Sequence, residues 1–218
     1  MAIVGVMGST LLIVMAFGMQ DSMQHYLDWE FNKIQAYEYK LSLSEGISDE
    51  TLSELLEPYG DSTSRSLAIE YKDMDGNINT SVLTVNDSAG LLRVSGHDTN
   101  TYDIEEGIPG NTKGSVDDAG ALYVTEKFLK TTGYSLGDDL KWRIMGNDNW
   151  YETPITSACR DPQSQQFAMT RSALEGLGED YKCDTIYTRD DLGDLTGADI
   201  DGVSSITSIG SMKEQMNN

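Results

Sequence analysis

The chain has 218 residues, of which 36 are acidic and 15 basic, and its formal net charge at pH 7 is −21. A surface of this charge repels nucleic-acid phosphates and anionic lipid headgroups, so we expect no nucleic-acid partner and a body that stands away from a membrane. The hydrophobic content of 39% is enough for the core of one or two domains.

The first segment of the chain, Ala2 to Met19, contains no charged residue. As a helix it would be about 27 Å long, nearly the thickness of the hydrocarbon core of a bilayer. Three interpretations are open: a transmembrane helix, a secretory signal, or a helix buried in a soluble fold. The absence of Lys or Arg after Met1 argues against a signal, whereas Ala16-Phe17-Gly18 resembles a cleavage site.

The residues after this segment favour the transmembrane helix. Met19, Met23, Leu27 and Phe31 recur at every fourth position without an intervening Gly or Pro. This pattern is typical of an amphipathic helix, which a membrane helix can form where it continues as a stalk. We therefore predict the end of a transmembrane helix and a stalk over residues 1–34, with the membrane as a partner, and an extracellular domain over residues 35–218.

The domain begins with a predicted strand, a short helix and a hairpin. Residues 37–43 alternate with period two, which predicts a strand. Ser48 is the predicted N-cap of a helix that ends near Pro58 and Gly60. A tight turn at Asp75-Gly76 then joins predicted strands at 67–72 and 78–85.

The middle of the chain is harder to interpret. Residues 86–118 are rich in Gly, Asn, Asp and Thr, so we expect irregular structure or short strands, with a possible subdomain or insertion around 78–118. A strand at 121–124 then leads into a helix that is capped by Thr125 and ended by Gly133.

Two further strands are predicted at 140–145 and 151–159. The second is expected to lie at an edge of the sheet or to begin late, because Pro154 has no amide hydrogen.

The last part of the chain continues to alternate between strands and helices. A strand at 166–169 leads into a helix that is capped by Thr170 and ended by Gly178, and strands follow at 185–187 and 203–206. A final helix begins near Ser211. Mixed short strands and helices predict an α+β fold.

The sequence offers little that resembles a catalytic site. His25 falls on the polar side of the predicted stalk and His97 falls in a predicted loop, and neither has a partner at the spacing of a catalytic base or a zinc ligand. No phosphate-binding glycine motif or nucleophile elbow is present. We predict no catalytic, cofactor-binding or metal-binding residues and a protein that is not an enzyme; a hydrolase with an unrecognised site is the alternative.

The two cysteines, Cys159 and Cys183, allow two interpretations. Outside the cell they can form a disulfide, which would close a loop of about 24 residues and contribute about 3 kcal/mol. They can equally be two buried thiols.

Aspartates cluster in two places. The segment from Asp73 to Asn77 resembles the start of an EF-hand, but its glycine is fourth rather than sixth, and Thr84 stands where a bidentate Glu is required. A hairpin turn explains it better. A later acidic tract is interpreted as solvated turns, with a weak surface cation site as the alternative; it contains Asp190, Asp191, Asp194, Asp199 and Asp201.

Three stretches together resemble the extracellular domain of FtsX-like and MacB-like ABC transporter permeases, especially the Gram-positive type. Residues 5–23 resemble the first membrane helix and its stalk. Residues 124–140 resemble the family's strand, helix and Gly-x-x-x-Gly-Asp turn into the next strand. Residues 200–206, followed by Ser211-Met212-Lys213, resemble the last strand and a helix that returns to the membrane.

The resemblance implies a non-enzymatic extracellular module in the cell membrane, which couples stalk movement to the handling of a substrate or partner outside the cell. It also implies a separate ABC ATPase subunit, with a second permease copy as a further candidate partner. The family's later membrane helices are absent from the sequence, so the chain would be a fragment of a permease. The alternative is a secreted or surface-anchored binding protein made with a signal at residues 1–18.

Overall fold

The computed structural model describes residues 15, 17–22, 25, 29, 33–87, 91, 93–96, 98, 100–160, 167–193, 195 and 197–217. Residues 17–22 are helical. The α-helices with defined bounds are α1 Asp49–Tyr59, α2 Glu126–Thr132, α3 Arg171–Glu175 and α4 Ile209–Asn217. The strands are β1 Tyr39–Leu43, β2 Ser62–Lys72, β3 Ile78–Asp87, β4 Arg93–Ser95, β5 Thr101–Asp103, β6 Leu122–Thr125, β7 Asp139–Ile144, β8 Tyr151–Cys159, β9 Phe167–Thr170, β10 Thr185–Thr188 and β11 Val203–Ser208. The predicted α+β class is confirmed.

Six strands close into a barrel. Their order is β2-β3-β9-β6-β8-β7, and the barrel closes because β7 pairs with β2 as well as with β8. Apolar side chains alternate into its interior, and Phe128 of α2 and Ala173 and Leu174 of α3 pack against them. The fully buried interior side chains include Ile69, Leu83, Leu122, Leu140, Trp142 and Ile155.

The other strands of the same nine-stranded sheet lie outside the barrel. They form what we call the basal sheet, which consists of β11, β1, β10 and the first three residues of β2, Ser62 to Ser64. Further along, Ile69 to Tyr71 of the same β2 strand pair with β7 in the barrel wall. A single strand of 11 residues therefore belongs to both parts of the domain and spans about 33 Å.

The helices begin where the sequence predicts, for a local reason. The hydroxyls of Ser48, Thr125 and Thr170 accept the amide hydrogens of Thr51, Phe128 and Ala173, each at 3.1 Å. Each bond satisfies an amide that has no partner within its own helix. Gly133 ends α2 with a left-handed φ of +82°, as predicted.

The hairpin turn is also confirmed, and the aspartate that resembled a calcium ligand, Asp73, is hydrogen-bonded within it. The carboxylate of Asp73 accepts hydrogen bonds from the backbone amides of Asp75 and Asn77 and from the side chains of Asn77 and Asn79. These donors hold the pKa of Asp73 below its usual value, with the Asn77 side chain as the largest cause. Asp73 therefore acts as a turn residue.

Two sequence predictions need correction. The first concerns Pro154: β8 does not lie at an edge, because it pairs with β7 on one side and β6 on the other. Ile155 donates its amide to Asp138 on the β7 side, so the nitrogen of Pro154 points toward β6, where pairing begins only at Ile155. The other predicted alternative, a strand that begins late, is correct for the pairing of β8 with β6.

The second correction concerns α3. This helix ends at Glu175 with Gly176 as its C-cap, whereas Gly178 lies in the turn that follows, at φ +83°. After Gly176 the amides of Leu177 and Gly178 bond to carbonyls only three residues back, those of Leu174 and Glu175, so the α-helical pattern ends before the predicted glycine.

The irregular middle packs on the outside of the barrel. Ile104, Ile108 and Val116 form a buried cluster with Tyr123 of β6 and Cys159 of β8. The hydroxyl of Tyr123 donates to the carbonyl of Ile104. The subdomain or insertion predicted around 78–118 remains a prediction.

Candidate functional site

The chain enters and leaves the domain at one place, which we call the terminal joint: Tyr37, Leu91, Tyr187 and Ile209, with Met212 packed against them. Tyr37 comes just before β1, whereas Ile209 and Met212 belong to α4, which follows β11. The rings of Tyr37 and Tyr187 are 4.7 Å apart between centroids. The two ends of the domain therefore share one buried apolar cluster.

Backbone hydrogen bonds hold the same joint. The amide of Ile209 donates to the carbonyl of Glu38 at 3.0 Å, and the amide of Ala36 donates to the carbonyl of Leu91 at 2.9 Å. Arg189 Nε also donates to the carbonyl of Ala36, at 3.2 Å. The incoming chain is thus hydrogen-bonded to the basal sheet and to the start of α4.

The predicted transmembrane segment lies largely outside the described residues. Among the helices that the structure describes, none is both long enough and apolar enough to cross a bilayer. Met15, Phe17 and Met19, at its end, are 60%, 68% and 78% exposed. Those three side chains are not packed into the core of the domain, which argues against the buried-helix interpretation for this part.

A cleft of about 520 Å³ lies where the basal sheet meets the barrel. One wall is the apolar face of α1, with Leu52 and Leu56; the opposite wall is the segment Tyr181-Lys182-Cys183. The remaining lining is polar and comes from Asp49, Gly60, Asp61, Ser62, Thr63, Asp87 and Arg171.

The polar groups of the cleft are bonded to one another. Arg171 pairs with Asp87 at 3.0 Å and with Glu175 at 2.8 Å, and its guanidinium lies over the ring of Tyr181. The hydroxyl of Tyr181 is bonded to Thr63 at 2.8 Å, and burial raises its pKa. Arg171 joins α3 to the end of β3 and to Tyr181, and Tyr181 joins the 181–183 segment to the start of β2. These contacts therefore connect the walls of the cleft.

The sequence does not predict this cleft, because the residues that line it are far apart in the chain and none belongs to a motif. Thr63 and Tyr181 are 118 positions apart in the chain, so no sequence spacing indicates that they meet. The apolar stripe of α1 is the sequence pattern that indicates one wall of the cleft. Leu55 of this stripe is buried, whereas Leu52 and Leu56 beside it are only partly buried.

The sequence-predicted polar residues lie apart from the cleft. His25 is exposed and helical, whereas His97 and Asp194 lie outside the described residues. In the acidic tract, Asp191 accepts hydrogen bonds from the amide of Gly193 and the hydroxyl of Tyr39, and these bonds lower its pKa. Among the described residues no group of three or more His, Cys, Asp or Glu is placed to hold a metal ion.

Cys159 and Cys183 are thiols and are not joined in a disulfide. Cys159 is buried in β8 and its Sγ donates to the carbonyl of Val124 at 3.4 Å. Burial raises the pKa of the Cys183 thiol, which disfavours the reactive thiolate at neutral pH.

We expect a thiol reagent to react slowly with the native, unreduced protein at pH 7 and to count two thiols per chain after denaturation. The reason is that one thiol is buried and the other is kept protonated. The Cys183→Ser variant should count one thiol under the same denaturing conditions. A count of zero in the denatured wild-type chain would show that the two cysteines are joined.

The chain was compared with known proteins. No family model matches it, and no curated protein matches it. Among solved structures it is similar to the periplasmic region of MacB from Actinobacillus actinomycetemcomitans, with 14% identity and a TM-score of 0.45, over 85% of this chain and 94% of that one.

It is also similar to a domain of a protein described as a permease from Porphyromonas gingivalis, with 10% identity and a TM-score of 0.39, over 80% of this chain and 90% of that one. The expected resemblance to MacB-like and permease domains is thus found among the structural neighbours.

Proposed function

We propose that the chain is a non-enzymatic extracellular domain of an ABC-type permease, held in the membrane by its N-terminal helix. The observation that carries the proposal is the terminal joint, where the chain that follows the apolar segment meets the start of α4. A domain inserted between two membrane helices needs this arrangement, because both helices must reach the same bilayer.

Close termini are also common in soluble domains, so the joint alone is not sufficient. The second support is the uncharged segment from Ala2 to Met19, whose last described side chains are exposed rather than packed into the core. Apolar side chains are unfavourable in water, and lipid hydrocarbon removes that cost. The two features together favour an anchored domain over a secreted one.

The proposed role is mechanical. Movement of the stalk reaches the terminal joint, then β1 and β10, and β2 carries it into the barrel wall. Small energy differences between stalk arrangements are enough to shift such a domain between states. In this proposal a separate ABC ATPase subunit drives the stalk, a second permease copy completes the assembly, and the substrate is handled outside the membrane.

The full chain, expressed with a C-terminal tag in a bacterium, is expected in the membrane fraction after an alkaline wash and in solution only after detergent is added. A double variant, Leu11→Arg with Leu12→Arg, should leave the membrane, since each Arg at a helix centre costs about 3 kcal/mol on insertion. The matched control, Gln20→Arg with Gln24→Arg, adds the same charge beyond the apolar segment and should stay in the membrane.

The side of the membrane is tested separately. A single cysteine, Glu54→Cys on exposed α1, in a Cys159→Ser and Cys183→Ser background, should react with a membrane-impermeant maleimide in intact cells. Wild-type chain that stays soluble with an intact N-terminus would contradict the proposal. A mature N-terminus at Met19, found by mass spectrometry, would instead support the secreted binding protein.

A further inference from the structure

The exposed apolar side chains of the domain are concentrated at one end. Between residues 33 and 217, the large hydrophobic side chains that the structure describes as exposed are Met74, Ile78, Val82, Met145 and Leu195. The first four belong to the β2–β3 hairpin or to the end of β7, and only Leu195 lies elsewhere. Soluble domains scatter such residues singly, whereas clusters mark interaction sites.

The strand register places these residues on one outer face of the barrel, which we call the distal face. It comprises Ala68, Glu70 and Lys72 of β2, Ile78, Thr80 and Val82 of β3, and Lys141, Arg143 and Met145 at β7. Val82 is opposite Ala68, and the amide of Met145 donates to the carbonyl of Ala68 at 2.8 Å. These three side chains form a continuous apolar row across three strands.

Beside this row, Trp150 is held between two cations. The Lys72 ammonium is 4.9 Å and the Arg143 guanidinium 4.7 Å from the Trp150 ring centroid. Cation–π contacts fix an aromatic ring in position, and a fixed aromatic ring loses little entropy when a partner binds. Fixed aromatic anchors are typical of binding hot spots.

The charged side chains of the distal face are mostly paired. It carries three basic residues, Lys72, Lys141 and Arg143, and two acids lie opposite two of them, Glu70 of β2 and Glu152 of β8. Arg143 is paired with Glu70 at 2.6 Å, and Lys141 lies opposite Glu152 in register. No ion pair is found for Lys72 among the described residues. The neighbouring Asp73 carboxylate instead accepts hydrogen bonds from Asn77 within the hairpin turn.

We propose that the distal face is a docking surface for a partner protein that presents an apolar segment flanked by acidic side chains. The apolar row accepts the segment, and Lys72 pairs with a partner carboxylate beside Trp150. An anionic membrane is the less suitable occupant because the net charge of −21 repels it. The proposal holds whether the chain is anchored in a membrane or secreted.

The test is selection from a random 12-residue peptide library displayed on phage, against the biotinylated full chain in mild detergent. We expect enriched peptides that combine apolar residues with Asp or Glu. Their affinity should fall by about ten-fold for Val82→Thr with Met145→Gln, and by several-fold for Lys72→Glu, with a weaker salt dependence. The matched control Leu195→Gln, which alters the exposed apolar residue elsewhere, should bind as the wild type does.

Three results would overturn the proposal. The first is a selection that yields no peptide enriched over the streptavidin surface, and the second is binding unaffected by Val82→Thr with Met145→Gln. The third result concerns lipid. In it, the chain held in phosphatidylcholine nanodiscs floats together with phosphatidylglycerol vesicles, and the double variant Val82→Thr with Met145→Gln no longer does so. That result would assign the face to a membrane. Far-UV circular dichroism of each variant verifies that it is folded.

Discussion

The Gly120→Ala substitution is expected to destabilise the domain by about 2–4 kcal/mol, a large part of the typical stability of a domain. Gly120 has a φ of +73°, and a Cβ at this position would lie 2.3 Å from Cγ2 of Thr153 and 3.0 Å from Cδ2 of Leu177. Thr153 cannot rotate away freely, because its hydroxyl accepts the indole N–H of Trp142 at 2.8 Å. Backbone strain and steric overlap therefore add.

The control for this experiment is Gly146→Ala. Gly146 has a φ of +90°, but a Cβ there would have no atom within 4 Å, so only the backbone cost of about 1 kcal/mol remains. Urea unfolding of the full chain in detergent, followed by far-UV circular dichroism, measures both. Equal losses for the two variants would show that the Thr153 contact adds nothing.

The Trp142→Ala substitution is expected to cost about 3–5 kcal/mol and to leave the domain partly unfolded at 37 °C. Trp142 is fully buried in the barrel, and its ring packs against Tyr151 at 5.0 Å between centroids. Its removal leaves a cavity between β7 and β8 and an unpaired Thr153 hydroxyl.

Two further variants separate these contributions. Trp142→Phe keeps most of the volume but loses the hydrogen bond, so it should cost about 1–2 kcal/mol. Trp150→Ala, at a half-buried tryptophan outside the barrel, should cost less than either. The same urea titration measures them, and a loss at Trp150 as large as that at Trp142 would contradict the assignment of the core.

The structural features that can be predicted from the sequence are those that depend on neighbours in the chain. The caps at Ser48, Thr125 and Thr170 and the turn at Asp73 each involve a hydroxyl or carboxylate that bonds an amide two to four residues away. Such bonds join residues that are close in the chain, so they do not depend on the tertiary structure around them. The edge position predicted from Pro154 is wrong because it also depends on local information alone. A proline shows that a hydrogen-bond donor is missing, but not which neighbouring strand lacks it.

The structural features that cannot be predicted from the sequence depend on long-range pairing. Barrel closure requires β2 to pair with β7, where Glu70 bonds to Arg143 across 73 residues. Exposed Val82 and Met145 look ordinary in sequence, and only that pairing brings them together into the distal face. The mixture of predicted strands and helices indicates the α+β class but not the barrel or the cleft.

The position of β1 has a consequence for synthesis. Tyr39 to Leu43 lie between β10 and β11, which are made more than 140 residues later. While the chain emerges from the ribosome or an export channel, that first strand has neither neighbour, and its backbone groups remain available to other chains. Assembly of the half nearest the termini must therefore wait until almost the whole polypeptide has been delivered, and a chain halted before residue 203 would carry an open template for aggregation.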